Sequence, residues 1–201
     1  MLKLLYVFGV CLCLSSVLQA QDFTVSTLPT QGSLPSAFIH CILQDSEGYM
    51  WYGTESGLCR DNGYQIDVFR PSANYSYGVN CISEDARGNI VFGTSDGLFK
   101  IDKSNYQSDK VELDSAAHRI DALFKDSAGH LWVGTEGRVY ELDEIGDFVN
   151  SYTCQVSGSP VGVASFYQDA DEKLYVLQWG RGILRKRKHE NSFSIGKKIT
   201  S

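Results

Sequence analysis

A unit of about 40 residues recurs along this chain, and that recurrence restricts the fold more than any other feature. The segments IHCILQDSEGYMWYGTESGLCR (39–60), VNCISEDARGNIVFGTSDGLFK (79–100) and RIDALFKDSAGHLWVGTEGRVY (119–140) align without gaps through their central motifs. Asp45, Asp85 and Asp126 recur at intervals of 40 and 41 residues. Each is followed three residues later by glycine (Gly48, Gly88, Gly129) and eight residues later by a Gly-Thr pair (Gly53-Thr54, Gly93-Thr94, Gly134-Thr135). A fourth copy, VGVASFYQDADEKLYVLQWGRGILRK (161–186), keeps Asp169 and the apolar pattern; Glu172 replaces its turn glycine and the Gly-Thr pair is gone. Fixed-period self-similarity is the mark of repeat architectures.

Each copy reads as short strands joined by tight turns. The stretch before the aspartate, such as Phe38, Ile39, Ile42 and Leu43, reads as a largely buried strand. Asp-x-x-Gly supplies turn chemistry: the carboxylate accepts local backbone N–H groups and glycine takes the left-handed conformation. A second strand follows (YMWYGT, NIVFGT, HLWVGT), then a turn at Gly57, Gly97 or Gly137, then a third strand. Looser fourth strands are expected at Gln65–Arg70, Gln107–Leu113 and Asp147–Tyr152. Four short strands per 40 residues is the pattern of a β-propeller blade. The expected fold is therefore all-β, with four blades at about 37–72, 77–113, 117–153 and 160–196.

The N-terminus has a different role. Lys3, the apolar run Leu4 to Leu14, and Leu18-Gln19-Ala20 form the layout of a secretory signal peptide over residues 1–20. Val10 and Leu12 precede Cys11 and Cys13, which argues against a lipid-modified cysteine. Residues 21–36 are a lead-in that could supply a closing strand. Export permits disulfides, but Cys41 and Cys81 stand four residues before Asp45 and Asp85, where Ala122 stands in the third copy. The position favours a small group, so both are expected to be buried free thiols. Cys59 and Cys154 are the other cysteines outside the leader.

No catalytic or metal motif appears. His40, His118, His130 and His189 have no zinc-site spacing, and the aspartates recur in turn roles, too dispersed for a glycosidase carboxylate pair. No metal and no cofactor are expected. Asn74-Tyr75-Ser76 matches a glycosylation acceptor, a short pattern common by chance. Trp51 and Trp132 share one repeat position and are expected to pack between blades. Trp179 has no counterpart in the other copies; with Tyr167, Gln178 and Arg181 it forms the candidate ligand-binding set, an aromatic platform with planar hydrogen-bonding groups. Residues 181–201 hold seven basic side chains and one acidic one, against ten basic and 23 acidic over 21–180. The run Arg185-Lys186-Arg187-Lys188 reads as a solvated strand end rather than a nucleic-acid patch, and no nucleic acid is expected to bind.

The pattern of D-x-x-G, [WVY]-x-G-T and x-x-G-L resembles the two-component regulator propeller repeat, over residues 28 to about 186. The stretch LPTQGSLPSAFIHCILQDSEGYMWYGT also resembles how such receptors begin. The resemblance implies the periplasmic sensor region of a hybrid two-component system of gut Bacteroidetes. It implies two seven-bladed propellers, a β-sandwich, a membrane helix, a histidine kinase, a receiver and often a DNA-binding domain. The implied partners are an oligosaccharide, the downstream blades and kinase domains, and a second copy in a homodimer. Alternatives are a fragment of a propeller hydrolase or lyase, or an interaction scaffold. The chain reads as the front end of such a sensor, an incomplete seven-bladed ring and not an enzyme by itself. A ligand held on a propeller axis touches several blades, so an incomplete ring is expected to bind it weakly and to self-associate through uncovered blade faces.

Overall fold

The computed structural model describes residues 34–70, 78–114, 119–156, 159–187, 190 and 192–195. The signal-peptide segment, the lead-in up to Ser33, the Asn74-Tyr75-Ser76 triplet, His118, Lys188 and His189 lie outside the described residues. Among the described residues every regular element is a strand.

Four antiparallel four-stranded sheets follow one another along the chain. Blade 1 comprises β1 (Ile39–Gln44), β2 (Met50–Thr54), β3 (Gly57–Asp61) and β4 (Ile66–Phe69). Blade 2 comprises β5 (Val79–Glu84), β6 (Ile90–Thr94), β7 (Gly97–Ile101) and β8 (Ser108–Val111). Blade 3 comprises β9 (Ile120–Lys125), β10 (Leu131–Thr135), β11 (Arg138–Leu142) and β12 (Phe148–Thr153). A two-residue hairpin, β13 (Gln155–Val156) and β14 (Ser159–Pro160), leads into blade 4. That blade comprises β15 (Val163–Gln168), β16 (Leu174–Gln178), β17 (Gly182–Lys186) and β18 (Ser194–Ile195). Strand order within each blade is sequential, and the first strands β1, β5, β9 and β15 adjoin one another in turn.

The aspartate of each copy organises its turn in the same way. Asp45 Oδ1 accepts the N–H groups of Glu47 (3.0 Å) and Tyr49 (2.9 Å), and Oδ2 accepts Trp51 Nε1–H (2.8 Å). Asp126 repeats the arrangement with Ala128, His130 and Trp132, each at 2.9 Å. Where Val91 replaces tryptophan, Asn89 Nδ2 donates to Asp85 instead; in the fourth copy the Tyr175 hydroxyl donates to Asp169. The tryptophans therefore pack between blades and also donate to the turn carboxylate, which is buried at Asp45 and half-buried at Asp126. The threonines close the next turn: Thr54, Thr94 and Thr135 Oγ1 donate to the carbonyls of Gly57, Gly97 and Arg138. Arg138, not Gly137, thus occupies the place of Gly57 and Gly97, and the glycine falls one residue earlier.

Between blades the core consists of three apolar layers. Trp51 and Leu58 of blade 1 meet Val79, Ile90, Phe92 and Ile101 of blade 2. Cys81, Val91 and Leu98 meet Ile120, Leu131, Val133 and Tyr140. Trp132, Val139 and Tyr152 meet Val163, Leu174, Val176 and Leu184. The glycine of each Gly-Thr pair lies where the next blade comes closest. A Cβ on Gly53 would stand 2.8 Å from Val79 Cγ1, on Gly93 2.5 Å from Ile120 Cγ2, and on Gly134 2.6 Å from Val163 Cγ1. Glycine is required because a β-branched side chain of the neighbouring blade fills the space, joined at Gly53 and Gly93 by the sulfur of Cys41 or Cys81 from the first strand of the same blade.

Two expectations about burial are corrected. Phe38, Ile39 and Ile42 are largely exposed, because they form the leading face of blade 1 and no preceding blade covers them among the described residues. Their counterparts Val79 and Ile120 are buried against a preceding blade. Cys41 is half-buried rather than buried, for the same reason of position, whereas Cys81 is buried; all four described cysteines are free. Burial pushes the Cys41 thiol up to about 12 and the Cys81 thiol further, so neither is a thiolate at neutral pH.

Gly93→Ala should destabilise the chain by about 1–3 kcal/mol through overpacking. The cost should shrink in an Ile120→Ala background, which thermal denaturation of the four members of the cycle would measure. Acid should also weaken the fold. Burial alone would raise the Asp45 carboxyl, but Trp51 N–H, the Lys103 ammonium and Tyr49 N–H outweigh it and hold it below its ordinary 3.8. A depressed carboxyl contributes stability that is complete at neutral pH and is lost as pH falls below about 4. Asp45→Asn should lower the melting temperature at pH 7 and reduce the further loss between pH 5 and pH 3.

Candidate functional site

The fourth copy departs most from the repeat, and its departures gather on the side that faces blade 3. Lys186 ends β17 at the register position held by Asp61 in blade 1, Ile101 in blade 2 and Leu142 in blade 3. It points into the junction, is buried (8% exposed), and its ammonium lies 5.3 Å from the Trp132 ring centroid and 5.4 Å from that of Tyr152. The expectation of a solvated strand end is thereby corrected: strand alternation sends Arg185 to one face and Lys186 into the opposite, covered one. Aligning the fourth copy on the third strand, which places Lys186 over Ile101 and Leu142, would have revealed this from sequence.

Above Lys186 a cleft of about 320 Å³ separates the Asp126 turn of blade 3 from blade 4. Its walls include Asp126, His130, Trp132 and Glu141 from blade 3, with Gln168, Glu172, Lys186 and Arg187 from blade 4. Between blades 1 and 2 the equivalent gap is closed by Lys103, whose ammonium lies 3.1 Å from Asp45, 3.5 Å from Glu47 and 3.6 Å from Glu84. The two faces of the third cleft are tied by Ser127 N–H donating to Gln168 Oε1 at 2.8 Å, as Ser46 N–H donates to Glu84 in the first.

The carboxylates here are already engaged. Asp126 accepts three N–H groups, and Glu141 accepts the Tyr152 hydroxyl at 2.6 Å and contacts His130 Nδ1 at 3.2 Å. Burial, and then the Glu141 carboxylate, push the Tyr152 phenol well above its ordinary value, so it stays a donor. Lys186 forms no ion pair among the described residues. Two ring contacts at 5.3–5.4 Å contribute about 0.5–2 kcal/mol each. Glu172, on the cleft rim, takes a left-handed conformation (φ 59°) that Gly48, Gly88 and Gly129 adopt in the other copies. A non-glycine residue there costs about 1–2 kcal/mol.

The predicted ligand set does not come together. Trp179 is 68% exposed on the β16–β17 turn; its backbone N–H donates to Gly162 O, and Arg181 lies on the same turn, also exposed. Gln178 is buried with Nε2 donating to Cys154 O at 2.9 Å, in the place of the lost threonine. Tyr167 pairs with Tyr175 near the other end of the hairpin, four residues or roughly 13 Å along the strand from the Gln178 register. There it lines an apolar groove of about 370 Å³ with Leu177 and Ile183 on the trailing face of blade 4. Trp179 instead gathers with Asp121 about Gly162, and Arg119 bonds Asp121 at 2.5 Å. The Lys186 cleft, which sequence reasoning did not single out, is a polar concavity.

The two-component regulator propeller family matches residues 33–56 and 115–137, which hold the first and third copies of the motif. Residues 33–56 and 115–137 thus carry the two-component regulator propeller repeat. Among solved structures, these repeats superpose on the extracellular domain of a Bacteroides thetaiotaomicron protein described as a one-component system, with TM-score 0.68 and 20% identity. The extracellular domain of a B. thetaiotaomicron hybrid two-component system matches with TM-score 0.57 and 23% identity. Virginiamycin B lyase from Staphylococcus aureus matches with TM-score 0.69 and 19% identity. The chain is covered to 85%, 81% and 89% in the three cases, but spans only 24%, 22% and 60% of those proteins. No curated protein matches by sequence. These likenesses establish the propeller fold of the regulator repeats.

Gln178→Ala should lower stability by about 1–3 kcal/mol by leaving the Cys154 carbonyl unpaired. Trp179→Ala, which removes an exposed ring, should leave the melting temperature within a degree or two; chemical denaturation of both variants checks the contrast.

Proposed function

We propose that this chain is the extracytoplasmic sensing propeller of a two-component signalling receptor, that it recognises an oligosaccharide, and that it does no catalysis itself. The observation that carries the reading is the regulator-propeller match over residues 33–56 and 115–137. Export is supported by the leader-like residues 1–20, and the two Bacteroides neighbours, both extracellular domains, agree with it. The lyase neighbour shares the fold only, so the choice against catalysis rests on side chains. Cys41, Cys59 and Cys154 are pushed up to about 12, 11 and 12 by burial, and Asp126 and Glu141 are held in internal hydrogen bonds. Kinase domains, further blades and a homodimeric receptor are the partners this reading requires.

Expressed from its own start codon in a Gram-negative host, the chain should accumulate in the periplasm with its leader removed. Because the incomplete ring is expected to bind weakly, thermal-shift screening with plant and host oligosaccharides at roughly millimolar concentration should find at least one class that raises the melting temperature, with no product formed on long incubation. Cytoplasmic retention of the intact leader, or cleavage of a bound saccharide, would overturn the reading.

A further inference from the structure

We propose that this chain associates head to tail, the leading face of blade 1 in one copy seating on the trailing face of blade 4 in another through an Asp61–Arg185 ion pair. Assembly of this kind needs no ligand, so it stands apart from the sensor reading.

The junctions inside the chain show what a leading and a trailing face supply to each other. At the end of the first strand, Glu84 and Gln168 accept the N–H groups of Ser46 and Ser127 from the sheet before. Gln44 holds that place in blade 1, and Ala170, exposed and next after the turn aspartate, holds the place of Ser46 and Ser127 in blade 4. Toward the end of the third strand, Ile101, Leu142 and Lys186 share one register on the leading faces, and Asp61 occupies it in blade 1. The adjoining register, on the trailing faces, holds Arg60, Lys100, Glu141 and Arg185.

The pairing of these two registers across a junction is seen where Lys186 and Glu141 line the same cleft. Asp61 of one copy would stand toward Arg185 of another in the same way, with the charges exchanged. Neither forms an ion pair among the described residues, and Arg185 Nε is buried without a hydrogen bond. A buried donor left over in this way is uncommon, and a carboxylate is its strongest acceptor. Asp61 accepts the Gly63 N–H at 2.7 Å, which leaves its second oxygen for a guanidinium.

The apolar surfaces agree as well. Ile82 and Phe166 pack into their junctions, whereas Ile42, in the same row of blade 1, is exposed. The trailing face of blade 4 offers it the groove lined by Tyr167, Leu177 and Ile183. One position is mismatched. Ile39 stands where Val79 stands in blade 2, and it would meet Leu177 in place of the usual glycine. The inner edge is therefore held apart, and the contact is looser than a junction within the chain. The two surfaces differ, so each copy offers one of each and the contact is heterologous.

Sedimentation velocity of the purified chain up to roughly 100 μM should show reversible association that weakens as salt is added. Asp61→Lys and Arg185→Glu install residues that the chain already holds at those registers, Lys186 and Glu141, so both variants should fold. Each alone should associate about tenfold or more weakly than the parent. An equimolar mixture of the two should recover a one-to-one dimer, because one intact head then meets one intact tail. Carrying both changes in one chain should restore association as well. Leu177→Gly, which gives Ile39 its ordinary space, should tighten association although it removes an exposed apolar side chain, and it tests the same contact should a charge variant fail to fold. A parent chain that stays monomeric throughout overturns the proposal. So do folded single variants that associate like the parent, a mixture that stays monomeric, and weaker association in Leu177→Gly.

Discussion

Where one blade meets the next, an inner-strand side chain of the second fills the volume that a Cβ atom would occupy on the first. Val79 against Gly53, Ile120 against Gly93 and Val163 against Gly134 are three instances of one contact. It sets how closely the sheets approach, and the closeness lets Trp51, Phe92, Tyr140 and Val176 be fully or almost fully buried in thin layers between sheets. The hydrogen bonds that span the junctions depend on it as well. Ser46 N–H reaches Glu84 at 3.0 Å and Asn80 Nδ2 reaches Ile120 O at 2.9 Å. Such bonds form only between sheets already in register. Stability in this kind of architecture is a sum over neighbours, and here each neighbour term begins at a glycine.

Much of the fold was legible because the constraint repeats. Asp45, Asp85 and Asp126 announced their turns through a spacing that chance does not give, and the strand ranges follow within a residue or two. What could not be read was position within the series. Ile39 and Ile42 have the same pattern as Val79 and Ile82, yet they are exposed because exposure depends on the preceding blade and not on local sequence. Gly137 looked equivalent to Gly57 because both follow a Gly-Thr pair; the Thr135 hydroxyl bond shows that Arg138 holds that place. The candidate site was harder. Tyr167, Gln178, Trp179 and Arg181 lie close in sequence, but a hairpin sends its two ends apart and alternate residues to opposite faces. Lys186 was obscured by its company: in a run of four basic residues, strand alternation buries one.

The sheet that departs from the repeat is also the one that holds the unusual chemistry. Blades 1 to 3 spend their junctions on aliphatic and aromatic packing, and the charges there pair with one another, as Lys103 does with Asp45. Blade 4 introduces a lysine into its junction, a glutamate into a left-handed turn position, and a leucine and a glutamine in place of Gly-Thr. Each is locally unfavourable or neutral, and two of them border one cleft. Residues that break a local rule are expected at functional or strained positions.

Leu177 has a consequence beyond its own blade. It stands where Gly53, Gly93 and Gly134 stand in the other sheets, with its side chain on the trailing face of the last described one. A successor bearing Val or Ile at the usual inner-strand position would collide with it. Any sheet seated there must present a glycine or alanine at that position, or sit farther out. The two halves of each junction lie 26 to 29 residues apart in the chain and in different repeats, so the repeats cannot diverge one at a time. A gain of volume on one must be matched by a loss on the next, and the history of such a protein is written in pairs of positions rather than in single repeats.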